Sequence, residues 1–397
     1  MAVKIARQTN KIVLLGAPTS AAALSAGHEQ APAALRAAGL TAELQSIGYQ
    51  VTDLGDDSLQ LYKPDEESPR ARNLPGVIAS LEALKPRVEQ AVKSGALPLI
   101  LSGDGSIALA TIAGARRYYR HVSMIYMARD GGLQAPASSS TGSVDGMVVS
   151  HLTGRGAAEL VRFWGEPPLV REPDLALFGV DRLDPAEERV LQRSPIRRYL
   201  AGDVRRVGIA AAAKTAIDRI RGSANPFVLH FHVDVIPDFQ ATDTSGTEGL
   251  RLEEVREALE FFAKQDHLAA IEVVGYNPAK DPDASGARLI LSLLTGALRA
   301  RYETLQAAAP PVVAASPAAA QSANSAAERS PESIADSPAE AHGSSSLTEA
   351  AEAALTAVGE AWSSESLEET PEALEAANDS ASENRSESSA PSDESDS

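Results

Sequence analysis

The chain has 397 residues, of which 44% are hydrophobic and 23% charged, enough for one large domain or two ordinary ones with a sizeable core. It contains no cysteine, which excludes disulfides, thiolate metal sites and cysteine nucleophiles and fits a reducing cytoplasm. The net charge of −18 gathers at one end: residues 307–397 carry 18 acids and 2 bases, the rest 36 acids and 34 bases, and neither part offers a basic footprint for nucleic acid.

Met1–Asn10 is polar and has neither the apolar h-region nor the cleavage site expected of a secretory signal. No run of about 18 apolar residues predicts a membrane span. Strand-like runs follow at Lys11–Gly16, Tyr49–Leu54, Leu97–Leu101, Val122–Met127, Leu175–Val180, Phe227–Val235 and Ala269–Val274. Helical patterns lie between them, at Pro32–Ala38, Val77–Val92, Ser106–Tyr119, Pro185–Gln192, Ala210–Arg221, Leu252–Gln265 and Ala287–Leu305. Apolar strands alternating with helices predict βαβ units and a parallel sheet covered on both faces. The segment Arg189–Arg206 holds six arginines and one acid and reads as a solvated helix and loop. Beyond Gln306 the composition shifts to Ala, Ser, Pro and Glu, which cannot bury enough apolar surface to offset the entropy of ordering. Residues 8–306 therefore read as the folded domain and 307–397 as a disordered acidic tail. Within the tail, Leu355, Val358 and Trp362 fall at i, i+3 and i+7, the spacing of a short amphipathic helix.

In a parallel sheet the functional residues gather beyond the carboxyl ends of the strands. Four such ends stand out: LPLILSGDGSIALATI (97–112), VSMIYMARDGGLQAPASSSTGSVDGM (122–147), FVLHFHVDVIPD (227–238) and AAIEVVGYNPAKDPD (269–283). In this order and spacing they resemble the ureohydrolase family of arginase, agmatinase and formiminoglutamase. LLGAP near Gly16, ALFGVD before a helix and the closing NPAKDPDASGARL are similar to the family's remaining segments. The resemblance covers residues 11–305. It implies a three-layer α/β/α fold with an eight-stranded, mostly parallel sheet, assembled as a trimer or hexamer. It also implies two Mn²⁺ ions bridging a hydroxide that attacks a guanidinium carbon, because paired cations acidify water and stabilise the tetrahedral intermediate.

Set against the family's motifs, the metal ligands are mostly replaced. Gly105 stands where the GGDHS histidine would, Ala128, Asp130 and Gly132 where the DAHxD ligands would, and His232 at the first aspartate of SxDxD. Asp234 keeps the second. Asp145 replaces the N-x-HG histidine, and Gly275 the glutamate that would hold a guanidinium. A site stripped of most carboxylates cannot offset the dehydration of two divalent ions. The resemblance thus implies a pseudoenzyme that binds a small ligand, or a regulatory subunit that joins an active homologue in a mixed oligomer. One exchange keeps a second reading open: a histidine becomes Asp130 and an aspartate becomes His232, at positions that serve one ion in the family. Asp130, His232 and Asp234, with His230 as a fourth donor, would hold a single divalent metal, Mn²⁺ first, and Asp145 or Asp104 would act as general base in hydrolysis of a C–N bond. His230, His232 and Asp234 alternate along one strand and so share a face. The metal-free alternative is a network in which Asp130 and His232 hydrogen-bond across the cavity. His28, His121, His151 and His267 read as surface or loop residues, with His151 the one nearest the cavity.

Overall fold

The computed structural model describes residues 10–220 and 225–308. The eight strands are β1 (Lys11–Ala17), β2 (Gln50–Asp56), β3 (Leu97–Ser102), β4 (Ser123–Met127), β5 (Leu175–Val180), β6 (Arg197–Leu200), β7 (Phe227–His232) and β8 (Leu268–Val274). They form one sheet in the order β2-β1-β3-β8-β7-β4-β5-β6, and every neighbouring pair is parallel. The expectation of a mostly parallel eight-stranded sheet is met, and among the described residues it is parallel throughout. The central strands are buried along their whole length, as a sheet covered on both faces requires.

Helices Ala31–Ala37, Leu40–Ile47, Ala201–Val207, Ile209–Ile220, Leu252–Ala263 and Ser285–Ala308 cover one face. Leu74–Lys93, Ala108–Arg116, Val148–Leu152 and Ala158–Val161 cover the other. Alternation along β7 divides its side chains between the two cores. Phe227, Leu229 and Phe231 enter the first, and Val228 enters the second, with His230 and His232 at the same parity as Val228. Each fully buried Phe of this set contributes roughly 1.5–3 kcal/mol by removing apolar surface from water.

Two expectations change. The segment 189–206 is not only helix and loop: Arg197–Leu200 pairs with β5 as the sheet's last strand. Its sequence, Arg-Arg-Tyr-Leu, has no apolar run because an edge strand keeps one side in water, with both arginines exposed. The last helix continues to Ala308, since alanines after Gln306 extend a helix at no side-chain cost. The expected tail helix near Trp362 lies outside the described residues. Among those described, no helix is long and apolar enough to cross a membrane.

The sheet order places β3, β8, β7 and β4 at its centre, where chain direction across the sheet reverses. A crevice opens beyond their carboxyl ends, as the switch point of an open parallel sheet dictates.

Candidate functional site

The crevice holds a cavity of about 480 Å³ whose lining includes His28, Asp130, Asp145, Arg182, Asp184, Glu187, His232, Thr242 and Asp243. Its walls come from the loop after β1 and the turns after β4, β5 and β7. Ala22 fastens the first of these: its N–H donates to Asp104 Oδ2 at 2.7 Å, and its carbonyl accepts from Ser143 Oγ at 2.6 Å. The β4 and β5 ends are joined by a bridge between Asp130 and Arg182, with the Asp181 and Arg182 N–H groups both donating to the Arg129 carbonyl.

His232 is the floor. It ends β7 and is followed by a single tight turn over Val233–Val235. Its Nδ1 lies 2.7 Å from Asp234 Oδ1, and its Nε2 lies 3.6 Å from Asp145 Oδ2. The Asp234 amide nitrogen is farther from Nδ1, at 3.3 Å, so the short charge-assisted contact to the carboxylate sets the proton on Nδ1. Burial opposes the charged ring, yet the Asp234 and Asp145 carboxylates outweigh it and hold its pKa well above the ordinary value. Asp234 moves the other way. Burial would raise it, but His232, the Arg129 N–H and the Thr244 hydroxyl hold it below the usual aspartate range.

Around this floor the carboxylates differ. Asp130 accepts from the Gly132 N–H at 3.1 Å and lies 3.4 Å from both the Tyr126 hydroxyl and Arg182 Nη2. Burial, then the Asp234 charge, raises its pKa. Glu187 sits in the sequence Asp184-Pro-Ala-Glu187, a capping box with proline at the first helical position. Its carboxylate accepts from the Leu133 and Asp184 N–H groups, each at 3.0 Å, and burial with Asp130 nearby pushes it up to about 7. Asp243 takes hydrogen bonds from Lys280 Nζ and Ser25 Oγ, both at 2.7 Å, and His28 Nε2 lies 3.1 Å from its other oxygen. Burial works against its charge, but His28, Lys280 and Ser25 hold it far below the usual aspartate range.

The sequence-derived candidates divide into four places. Asp145, His232 and Asp234 come together at the floor, and Asp145 also accepts from the Gly105 N–H at 2.6 Å. Asp130 lines the cavity but turns to Tyr126, Gly132 and Arg182. Asp104 is fully buried, and its two oxygens take the Ala22 and Ser106 N–H groups. Burial and the neighbouring Asp145 raise it to about 6, and it anchors the loop without reaching the cavity wall. His230 lies inside the sheet, stacked on Tyr126 at 4.7 Å with Nδ1 2.6 Å from Glu272 Oε2. Its Nε2 and Glu272 Oε1 are buried without a hydrogen-bond partner. Among the described residues, no group of three His, Cys, Asp or Glu side chains stands in a geometry that could hold a metal ion.

Several expectations are corrected. His28 is buried and lines the cavity, with Nδ1 2.9 Å from the Gly103 carbonyl oxygen. His151 is buried too, but it braces its own helix turn: Nδ1 meets the Met147 carbonyl at 2.8 Å, and Nε2 accepts from the Ala157 N–H at 3.0 Å. Burial lowers its pKa to about 4, which keeps the ring neutral and able to accept. Residue-by-residue reading also missed Asp243, Glu187 and Thr242. The Asp-Pro-Ala-Glu capping box was a usable signal for Glu187. Asp243 and His28 are 215 positions apart and carry no local motif.

An open parallel sheet covered on both faces, with carboxylates and imidazoles around its switch point, defines a class of α/β protein. Comparison with known proteins gives the family within that class. The arginase family model matches residues 10–298, and the chain belongs to the arginase family. It is 28% identical to the arginase of Brevibacillus brevis over 284 residues, covering 71% of this chain and 95% of the relative. It is 27% identical to the arginase of Bacillus caldovelox, covering 71% and 96%. The crystal structure of the Bacillus caldovelox arginase at pH 5.6 superposes with a TM-score of 0.68 at 26% identity, over 73% of this chain and 98% of that one. The formimidoylglutamase of Bacillus subtilis shares the fold, with a TM-score of 0.60 at 20% identity over 74% and 87%.

Proposed function

We propose that this chain is a non-catalytic member of the arginase family, a binding or regulatory protein whose cavity is not a dinuclear manganese centre. One observation carries the reading. A side chain built at Gly105 would place its Cβ 2.6 Å from Asp145 Oδ1. The space that the family's metal-binding histidine would need is filled by a carboxylate that caps the Gly105 N–H. Ala128 and Gly132 offer no donor atoms at the neighbouring positions. The donor set that remains does not fit a pair of ions. The role that follows is to bind a small ligand in the cavity, in a cytoplasmic homo-oligomer or a mixed oligomer with an active homologue. The absence of cysteine fits a reducing, cytoplasmic setting.

A second reading is favoured by the unpartnered His230 Nε2, which is chemically apt as a fourth donor to one divalent ion on Asp130, His232 and Asp234. That reading makes the chain a hydrolase of guanidino or amidine C–N bonds. Metal analysis of the full chain, purified without chelator and incubated with Mn²⁺, separates the two when run beside hydrolysis assays on guanidino and formimino substrates. The expected result is no stoichiometric metal and no turnover. One ion per chain with turnover would replace the first reading by the second.

A further inference from the structure

We infer that the His232 ring clamps four strand ends of the cavity floor together, standing in the space between the carboxylates that a bound ion would otherwise take, and that Gly275 is the residue that makes room for it. The inference rests on the non-catalytic reading and names what occupies the floor. Gly275 follows β8 with φ +83, a conformation glycine adopts without steric cost. A Cβ built there would come within 2.3 Å of His232 Cε1, 2.6 Å of Nδ1 and 2.7 Å of Nε2. Approaches this close exclude any side chain at 275 while the imidazole holds its place. The two residues are therefore one device: a ring on β7 and a gap on β8.

The ring's contacts spread to the other two ends. Through Nε2 it faces Asp145, which itself receives the Gly105 N–H from the turn after β3. Through Nδ1 it pairs with Asp234, which receives the Arg129 N–H from the turn after β4. The Gly275 N–H in turn donates to the Gly103 carbonyl at 3.0 Å, tying β8 back to β3. Removing the ring leaves Asp145 and Asp234 as two buried or half-buried carboxylates with Asp130 nearby and without the imidazole that stands between them. An unpaired buried charge is among the costliest defects a fold can carry.

The test uses the full chain as wild type, His232→Ala, His232→Asn and Gly275→Ala, each melted with chelator, with Mn²⁺ and with free imidazole. The wild-type Tm should not move with chelator or Mn²⁺. His232→Ala should fall by roughly 5–10 °C and recover part of the loss on adding Mn²⁺ or imidazole, either of which can enter the vacated space between the two carboxylates. His232→Asn should fall as well, without recovery by imidazole, because its amide still occupies part of the ring's space. Gly275→Ala should fall because the methyl group displaces the ring. A wild type that loses bound metal and stability to chelator would overturn the clamp, and so would a His232→Asn protein that melts like wild type. If the alanine variant does not fold, the ring-nitrogen NMR shifts of wild-type His232 decide. Ring-nitrogen shifts indifferent to Mn²⁺ support the clamp, and a nitrogen perturbed by stoichiometric Mn²⁺ overturns it. Failure of the two readings is distinguishable: guanidino hydrolysis that survives chelator with an unchanged Tm would remove the non-catalytic reading and leave the clamp standing.

Discussion

Asp243 and Glu187 line the same cavity and are buried to a similar degree, yet their carboxyls are driven in opposite directions. Asp243 is met by an imidazole, an ammonium and a hydroxyl, and it is held ionised far into acid. Glu187 is met only by two backbone N–H groups and by the charge of Asp130, and its pKa rises to about 7. Burial alone would raise both. What separates them is whether the chain supplies a full cation within hydrogen-bonding reach, which two amide dipoles cannot match. The cavity thus has one wall that neutralises itself and one that carries crowded acids, with a half-exposed Arg182 as the nearest cation to the latter. His232 follows the logic of the first wall at the floor.

The largest effect should come from breaking the neutralised wall. Asp243→Asn leaves Lys280 without its counter-charge and takes the carboxylate away from the buried His28 ring. Chemical denaturation at neutral pH should show a loss of roughly 3–5 kcal/mol, the usual cost of removing one partner from a buried pair. A loss under 1 kcal/mol would mean the wall is not held by charge. The contribution of Asp243 is complete above the unfolded aspartate value of 3.8 and fades only as pH falls below it. Glu187 has the opposite sign. Its folded pKa lies above the unfolded value of 4.5, so the fold is favoured below 4.5 and stability drains away as pH rises through about 7. Glu187→Gln removes that dependence and keeps one of the two acceptors. Measured from pH 4.5 to 8, the variant should gain about 3 kcal/mol relative to wild type. A pH-independent difference would show that the acid wall is not crowded.

The contrast between the walls also marks what the sequence could and could not reveal. The strand–helix alternation and four strand ends placed the sheet and its crevice, because apolar periodicity is a local property. His232 and Asp234 were legible at the end of a recognisable strand, and Asp145, well past the end of β4, only through the resemblance to the family's motifs. Edge strand β6 was not, since its two arginines are exposed and only Tyr199 and Leu200 pack against the cores, so Arg-Arg-Tyr-Leu looks like loop. Asp243 and His28 were invisible because their pairing depends on two distant loops meeting, and nothing local distinguishes a surface histidine from one closed over by a second loop. Asp104 reads as a site residue by motif, but only geometry shows both its oxygens consumed by backbone N–H groups.

Thr242 gives the smallest and finest test, because its hydroxyl is left unpaired in the wall built around Asp243. Its side chain lines the cavity beside Asp243, it is 3% exposed, and its hydroxyl has no hydrogen-bond partner, while its carbonyl takes Lys280 Nζ at 3.0 Å. A buried hydroxyl left unpaired costs about 1–3 kcal/mol of lost hydration. Thr242→Val keeps the branched shape and removes that cost, so the variant should be more stable by about 1 kcal/mol, a rise of roughly 2–4 °C in Tm. The backbone carbonyl and the Asp243 hub are untouched, which confines the effect to the hydroxyl. An unchanged or lowered Tm would mean that a bound water or ligand already satisfies the oxygen. In that case the cavity has a polar occupant on the Asp243 side, and Thr242 is one of the groups that hold it.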